Sequence, residues 1–373
     1  MENIIRQFIS DGKINIGVND WKKLNETHDR DFIKSQLVNE IVDGNLPFPY
    51  LDLTIDDAAN AFKKLIDYKC RAFFKEKVMT RYEYKWHIMD AYIDETLVGN
   101  PASDYFQASA RAKASGHNDP SPWNVWHSKK YLTSALNPLW TLKMKKVDNN
   151  SFRSAISMRK YWASQFRPAV AKSIYEKFHS VDVLDFSSGW GDRLCGFYAT
   201  PGTRSYIGID PNKEVFDNYF KQVDLYKTLT EEKKTTFYNL PAEDVVLEPN
   251  IVDTVFTSPP YFCAETYTDD DTQSWVRYKT RDEWLRGFMF KALDNVWRAL
   301  KPGGYLVVNI SDVYRKGGIQ KLCDPMNDYI QQILGGKYLG GFGMKIGKRV
   351  NAKTYNGKDG VCVEPVWTWK KEG

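Results

Sequence analysis

Long apolar runs are missing from this chain. No stretch approaches the roughly 20 consecutive apolar residues of a membrane-spanning helix, and mean hydropathy is −0.52. The opening MENIIRQFISDGK carries acidic and polar residues where a secretory signal would carry its apolar core, so no signal peptide and no membrane partner are expected. Cysteine is also scarce. Cys70, Cys195, Cys263, Cys323 and Cys362 are scattered, odd in number and never spaced C-x-x-C, which argues for a reducing compartment and against a cysteine-bound zinc. The full G-x-G-x-x-G of a dinucleotide site is absent, as is any repeat or low-complexity run.

What is present is a soluble composition, 42% hydrophobic and 27% charged, over 373 residues, enough for one large domain or two. Aromatics are abundant, with 12 Trp and 22 Tyr. Charge is unevenly spread. Residues 101–180 hold 13 Lys and Arg (among them Lys129, Lys130, Lys143, Lys145, Lys146, Arg159 and Lys160) against 4 acids, a net +9 that leaves −4 for the rest of a +5 chain. Trp123, Trp126, Tyr131, Trp140, Tyr161 and Trp162 are interleaved with them. Two readings stay open: a phosphate-binding surface that also stacks bases, or a solvated basic face over an aromatic core.

Residues 1–150 are expected to form a mainly helical module, and 151–373 a second domain. In the first, IDDAANAFKKLIDYKCRAFFKEK has apolar residues at helical spacing (Ala59, Phe62, Leu65, Ile66) and predicts an amphipathic helix, and GHNDPSPWNVW reads as a loop. After Pro168 the pattern alternates. PAVAKSIYEKF reads as a helix opening on proline, VDVLDF as a strand, SSGWGDR as a Gly-containing turn, and SYIGID as the next strand. NKEVFDNYFKQVDLYKTL predicts a helix, TTFYN and DTVFT predict strands, and RDEWLRGFMFKALDNVWRAL a long helix stopped by KPGG. YLVVNI and VCVEPVWTWKK complete the strands. Strands alternating with helices predict an α/β fold, a doubly wound and mostly parallel sheet.

Two features carry chemistry. The first is an ordered series: a Gly turn after VLDF, then Asp210 about 20 residues later at a strand end, then Glu243 and Asp244 after the next strand. That series suits an adenosine-containing ligand, whose ribose hydroxyls an acid at the second strand end can hold. The second is SPPY, Ser258 to Tyr261, directly after DTVFT. Neither proline can donate to a sheet ladder, so the strand ends there in a rigid, extended turn. Strand carboxyl ends are where open α/β sheets bind ligands. Asp269, Asp270 and Asp271 fall in the long polar segment after this turn and read as solvated rather than as metal ligands, so no metal site is expected.

In this order, LDFSSGWGDR, GIDPN, PAED, FTSPPYF and LKPGGYLVVNI resemble the S-adenosylmethionine-dependent DNA amino-methyltransferases, over roughly residues 160–373. The resemblance implies a Rossmann-like class I methyltransferase domain with a mixed, mostly parallel seven-stranded sheet. It also implies S-adenosyl-L-methionine as cofactor, and transfer of its methyl group to an exocyclic amino nitrogen of a base. Serine in the first place of the turn is most typical of cytosine-N4 enzymes, aspartate of adenine-N6 enzymes, and asparagine of RNA guanine-N2 and protein-glutamine enzymes. By this resemblance Ser258, Pro259, Pro260 and Tyr261 are the catalytic residues. The Ser258 hydroxyl and the Pro259 carbonyl would accept the two amino N–H bonds, and Tyr261 would stack on the ring. Asp185, Ser187, Gly189 and Gly191 would line the methionine and ribose part of the cofactor. Asp210 with Pro211 would hold the ribose. The acid near the adenine amino group would be Glu243 or Asp244, since Leu240-Pro241-Ala242 stands where the family often has Gly-Asp-Ala. Phe166 and Arg167 are further cofactor candidates, and Ser258 borders the cofactor too.

The same resemblance implies DNA as partner, either duplex with the base flipped out or single-stranded, and a cytoplasmic enzyme of bacterial or viral origin. It leaves a restriction partner open. The N-terminal module would be the target-recognition part. Lys345, Lys348 and Arg349, in the Gly-rich basic segment between the last two strands, would contact phosphates. The alternatives are an adenine-N6 enzyme, an RNA guanine-N2 enzyme, and a nucleic-acid-binding module that keeps the fold without turnover. An NAD-type oxidoreductase gives the Pro-Pro-Tyr turn no role.

Overall fold

The computed structural model describes residues 3–70, 73–94, 96–117, 119–160, 162–315, 317–347 and 359–373. Lys348, Arg349 and Tyr161, singled out above, lie outside the described residues. The chain forms two compact units: residues 1–53, 108–164 and 265–267 make unit 1, and residues 54–107, 165–264 and 268–373 make unit 2.

Unit 2 is built on a sheet whose central strands follow the sequence reading closely. In chain order these are β1 (Asp182–Asp185), β2 (Ser205–Ile209), β3 (Lys234–Tyr238), β4 (Val252–Thr257), β5 (Leu300–Asn309), β6 (Gly341–Lys345) and β7 (Val361–Lys370). Their order across the sheet is β6-β7-β5-β4-β1-β2-β3. The β5–β4, β4–β1, β1–β2 and β2–β3 pairs are parallel, and β7 runs antiparallel to both β5 and β6. This is the Rossmann-like class I methyltransferase fold. Strand order reverses between β1 and β4, so the carboxyl ends of these two strands border the crevice where such sheets take a ligand. The connecting helices are α1 (Pro168–Lys177), α2 (Asp192–Tyr198), α3 (Lys213–Tyr226), α4 (Phe290–Ala299) and α5 (Cys323–Gln332). The predicted long helix before β5 is one continuous helical run from Arg281, with a wider π turn at Leu285–Met289. Its apolar side (Trp284, Phe288, Leu293, Val296) packs into a core shared with β4, β5 and β7.

Residues 54–107 depart from the single break expected at 150. They belong to unit 2 and add three strands to the seven; with Lys337–Tyr338 the sheet has eleven among the described residues. Ile88–Ile93 runs parallel to β6, Val78–Thr80 runs parallel to β7, and Phe74–Lys75 pairs with Ile88–Ile93; Lys337–Tyr338 adds a further pairing to β7. The helix predicted over 55–77 is shorter, Ile55–Asp67, entered through a Thr54–Asp57 capping box; Phe74–Lys75 is drawn instead into a strand by its pairing with Ile88–Ile93. The last carbonyls of the helix are satisfied from outside it. The buried Lys172 ammonium of α1 donates to the carbonyls of Leu65, Ile66 and Tyr68 at 3.0, 2.7 and 2.8 Å. One cation thus replaces the partners a helix end lacks, and ties 54–107 to the methyltransferase sheet.

Unit 1 is mainly helical, with helices at Val18–Thr27, Arg30–Asp43, Pro122–Trp126, Lys129–Ala135, Pro138–Thr141 and Asn149–Arg159. Part of the expected GHNDPSPWNVW loop is therefore helix: the Ser121 hydroxyl accepts from the Asn124 amide and Pro122 occupies the first turn, a start signal stronger than the loop composition. The aromatics serve the core here. Trp126 is buried and donates to the Leu46 carbonyl, while Trp123, Tyr131, Trp140 and Trp162 pack half-buried on the same cluster.

The Lys172 contact gives a stability test. Lys172→Met keeps the apolar stem but takes the ammonium from three carbonyls, of which Leu65 keeps the Tyr68 amide, and should lower unfolding free energy by about 2–4 kcal/mol in urea titrations. An unchanged midpoint would mean that water replaces the ammonium there.

Candidate active site

The site begins with a buried ion pair. Asp185, the last residue of β1, has no exposed surface. Its carboxylate accepts from Arg193 Nε at 2.7 Å, Tyr206 Oη at 2.8 Å and Thr257 Oγ1 at 2.8 Å, and from the Ser187 amide at 3.3 Å. Those donors come from α2, β2, β4 and the glycine turn, so one carboxylate ties the carboxyl ends of β1 and β4 to the start of β2. The Arg193 guanidinium also donates to the Ser187 carbonyl and lies over the Phe166 ring, 5.2 Å from its centroid. Phe166 in turn meets Phe256 of β4 edge-on. Arg167 reaches the other way, its Nη1 donating to the carbonyl of Lys345 at the end of β6. Lys345 itself pairs with Asp94 at 2.8 Å.

The glycine turn is bent by two left-handed residues, Gly189 (φ 56°) and Gly191 (φ 74°). At Gly191 a side chain is excluded twice, because an added Cβ would lie 2.2 Å from Gln222 Oε1 of α3. The Tyr219 hydroxyl holds the Gly189 carbonyl at 2.6 Å, and Gln222 Nε2 holds the Trp190 carbonyl at 3.1 Å. The Gly189 amide, 2.8 Å away, donates to Asp210 at the end of β2, which also accepts from the Asn212 amide at 2.9 Å. Burial pushes the Asp210 carboxyl up to about 6; the two amides and Arg193 oppose that rise, and Asp185 adds to it. Pro211 and Ser187, both half-buried, flank this acid and the turn.

Past β3, Glu243 is buried and Asp244 exposed. Arg277, from the segment after the SPPY turn, donates through Nη1 to Glu243 Oε1 and Asp244 Oδ2, both at 2.8 Å. Glu243 Oε2 is buried without a hydrogen-bonding partner, and burial raises its carboxyl pKa. Of the two predicted acids, only Glu243 therefore combines burial with an unused acceptor. The residues fit an adenosine-type group: a half-satisfied ribose acid, an open turn at Gly189 and a buried orphan oxygen line the same strand ends.

SPPY follows β4 directly. Pro259 is buried, and Ser258, Pro260 and Tyr261 are half-buried. Phe262 then takes a left-handed backbone (φ 52°), uncommon for a bulky residue, and its side chain packs against Trp284. That apolar anchor lets the chain reverse, with the Ala264 amide on the Tyr261 carbonyl at 3.0 Å, while Tyr261 stays at the strand end. Facing the turn is a residue that sequence reading missed. Asn309, the last residue of β5, is 1% exposed and directs Oδ1 at Ser258 Oγ, 3.3 Å away. The Tyr261 hydroxyl lies 3.4 Å from the Asn309 carbonyl and 3.5 Å from its Oδ1. A polar residue closing the apolar run YLVVN was the signal available. The segment after the turn is not featureless: Glu265–Thr266 pairs with Ser115–Gly116 inside unit 1, and Ser274–Arg277 is a short helix of unit 2.

Asp185→Asn tests the ion pair. It keeps an acceptor for Thr257 but leaves Arg193 buried without its countercharge, so a loss of about 3–5 kcal/mol in chemical denaturation is expected. A loss under about 1 kcal/mol would show that the node braces nothing.

Residues 252–369, from β4 to β7, match the family model for N6/N4 DNA methylases, described as DNA methylase. No curated protein matches the chain. Among solved structures it is similar to a SAM-dependent methyltransferase from Methanosarcina mazei, at 13% identity over 53% of this chain and 97% of that one, TM-score 0.36. It is also similar to the N-methyltransferase NodS from Bradyrhizobium japonicum WM9 in complex with S-adenosyl-L-homocysteine, at 12% identity over 52% and 79%, TM-score 0.33. A SAM-dependent O-methyltransferase from Thermotoga maritima matches at 10% identity over 64% and 72%, TM-score 0.35. The fold assignment rests on the strand order, not on these distant likenesses. The family match thus falls on the second half of the sheet, β4 to β7, which carries the SPPY turn and Asn309.

Proposed function

We propose that this chain methylates the N4 amino group of cytosine in DNA. The observation that carries the reading is a serine, Ser258, at the head of a Pro-Pro-Tyr turn that leaves the carboxyl end of β4. An exocyclic amino group is a poor nucleophile because its lone pair is delocalised into the ring. Two acceptors, Ser258 Oγ and the Pro259 carbonyl, take its two N–H bonds and favour a pyramidal nitrogen whose lone pair points away from them. The prolines preset that carbonyl, Phe262 anchors the turn, and Tyr261 offers its ring for stacking. Orientation then supplies much of the acceleration, with no covalent nucleophile. When bound, S-adenosylmethionine supplies an electrophilic methyl group on a sulfonium. With that group in place, Ser258 Oγ and the Pro259 carbonyl would hold the amino nitrogen towards the methyl carbon, and the nitrogen would give up one proton to water on methylation.

On the cofactor side, Asp210 takes the ribose hydroxyls and Glu243 Oε2 a donor of the adenosine. Gly189, Gly191, Ser187 and Pro211 shape the wall, and Asp185 acts by bracing it. Phe166 packs behind the same wall. Asp244 and Arg277 hold Glu243 in place. For the nucleic acid, the exposed cations of unit 1 support a phosphate-binding face. Lys130 and Lys160 lie over the Tyr131 ring at 5.6 and 5.5 Å, and Lys143, Lys145 and Arg159 are exposed. Lys129 and Lys146 already pair with Asp43 and Asp148, so they contribute less to that face. A buried amino group in duplex DNA requires base flipping, or else a single-stranded substrate.

Nucleoside mass spectrometry after incubation with labelled-methyl S-adenosylmethionine tests the reading on duplex DNA, single-stranded DNA and RNA separately. Label in N4-methylcytosine is expected, reduced about 100-fold or more in Ser258→Ala. Label in N6-methyladenine would overturn the serine argument, and label only in RNA would overturn the DNA assignment.

A second test uses Asp210. Its folded pKa of about 6 lies above the ordinary carboxyl value of 3.8, and hydroxyl donors favour the ionised form. Cofactor binding should therefore tighten as pH rises through about 6, by about tenfold between pH 5 and 7, in calorimetric titrations with S-adenosylhomocysteine. Stability runs the other way, gaining as pH falls from about 6 towards 4. An affinity flat across that window, or unaltered by Asp210→Asn, would remove Asp210 from the ribose.

A further inference from the structure

We propose that Asn309 is a positioning residue that sets the proton direction of Ser258, so that the serine meets the target amino group as an acceptor. The inference rests on the reading of Ser258 as an amino-group acceptor and adds a requirement that reading lacks. A hydroxyl is both donor and acceptor, with one proton and two lone pairs that rotate freely about Cβ–Oγ. A serine whose proton faced the substrate would oppose the amino N–H bonds instead of accepting one. Something must turn that proton away.

The Asn309 amide is suited to the task because its own orientation is fixed. Nδ2 donates to the carbonyl of Pro365 in β7 at 2.9 Å. A carbonyl only accepts, so the amide nitrogen faces β7 and Oδ1 faces the turn. Oδ1 cannot donate. The Ser258 hydroxyl 3.3 Å away therefore donates to it, leaving its lone pairs for the substrate. The Tyr261 hydroxyl, 3.5 Å from the same oxygen and 3.4 Å from the Asn309 carbonyl, also meets the Glu364 carboxylate of β7, so it is held inward and its ring is the feature it offers a base. Register supplies the placement. Thr257 of β4 pairs in parallel with Val308 of β5, so the next residues, Ser258 and Asn309, emerge side by side. On its other edge Asn309 pairs with Val366 of β7, one residue past Pro365. A three-strand relay, β7 to β5 to the turn after β4, thus fixes a single rotor. It moves no proton and forms no bond in the reaction.

The test compares Asn309→Leu, which removes the acceptor, with Asn309→Asp, which keeps an oxygen facing Ser258, each in the wild-type and Ser258→Ala backgrounds. Single-turnover methylation of DNA and calorimetric binding of S-adenosylhomocysteine are read for each. Asn309→Leu should lower kcat about 10- to 100-fold with cofactor affinity within about threefold. Asn309→Asp should recover most of that loss. In the Ser258→Ala background, Asn309→Leu should cost little more, because the two residues act as one. Three results overturn the proposal: wild-type kcat in Asn309→Leu, equal losses in the Leu and Asp variants, or the full Asn309→Leu factor persisting without Ser258. If Asn309→Leu loses cofactor affinity, the Asp variant decides, since a structural role predicts a loss in it as well. Failure of the underlying reading looks different: Ser258→Ala would itself retain wild-type turnover, or the wild-type protein would methylate no nucleic acid.

Discussion

One buried carboxylate holds the catalytic face together. Asp185 ends β1 with no exposed surface and is met by Arg193, Tyr206 and Thr257 from three different elements. An unpaired charge in that position would be prohibitively costly, so the pairing holds the glycine turn and the end of β4 against the start of β2. Gly189 in that turn donates to Asp210, and Thr257 is locked immediately before Ser258. The SPPY turn and the glycine turn are therefore aligned by the same ion pair.

The turn itself shows how a fold concentrates constraint at a reacting centre. Two prolines remove backbone freedom, a left-handed Phe262 reverses the chain, and Trp284 anchors that phenylalanine in the core. The strain is offset by burial of two large aromatic rings. From the opposite side β5 contributes Asn309, and the loop that follows it is braced in its own way. Asp312 accepts the amides of Leu322 and Cys323 at the start of α5, the Ser311 hydroxyl meets Tyr84, and Lys85 donates its amide to Asp324. Segment 54–107 is thus structural support for the methyltransferase sheet as well as a connection.

Much of this was legible in the chain. β-branched alternation marked β1 to β5, and the glycine turn, the strand-end acids and SPPY fall at strand carboxyl ends as the sequence places them. These features are local, set by a few adjacent residues and by backbone limits on Gly and Pro. What stayed hidden is nonlocal. The strands at 74–75, 78–80 and 88–93 are two to six residues long and owe their existence to the edges of β6 and β7. Arg277 finds Glu243 from 34 positions away. Asp185 reads as a cofactor-lining acid, yet in the fold its oxygens are engaged by protein donors, because nothing local announces that Arg193 will turn back onto it. Asn309 carries no motif, only the oddity of a buried amide closing an apolar strand. In the basic, aromatic stretch of 101–180 the aromatics of unit 1 pack in its core and several of its cations lie on the surface, as the reading of a basic face over an aromatic core expects.

The central claim is that the carboxyl ends of β1, β2 and β4 form one cofactor-and-base site. Hydrogen exchange with and without S-adenosylhomocysteine addresses it most directly, because it reads each strand end separately in the intact chain. The account predicts slowed exchange together at 187–191, 210–213, 242–244 and the Ser258 amide, with unit 1 unchanged. Protection confined to other surfaces, or to only one of these strand ends, would contradict it.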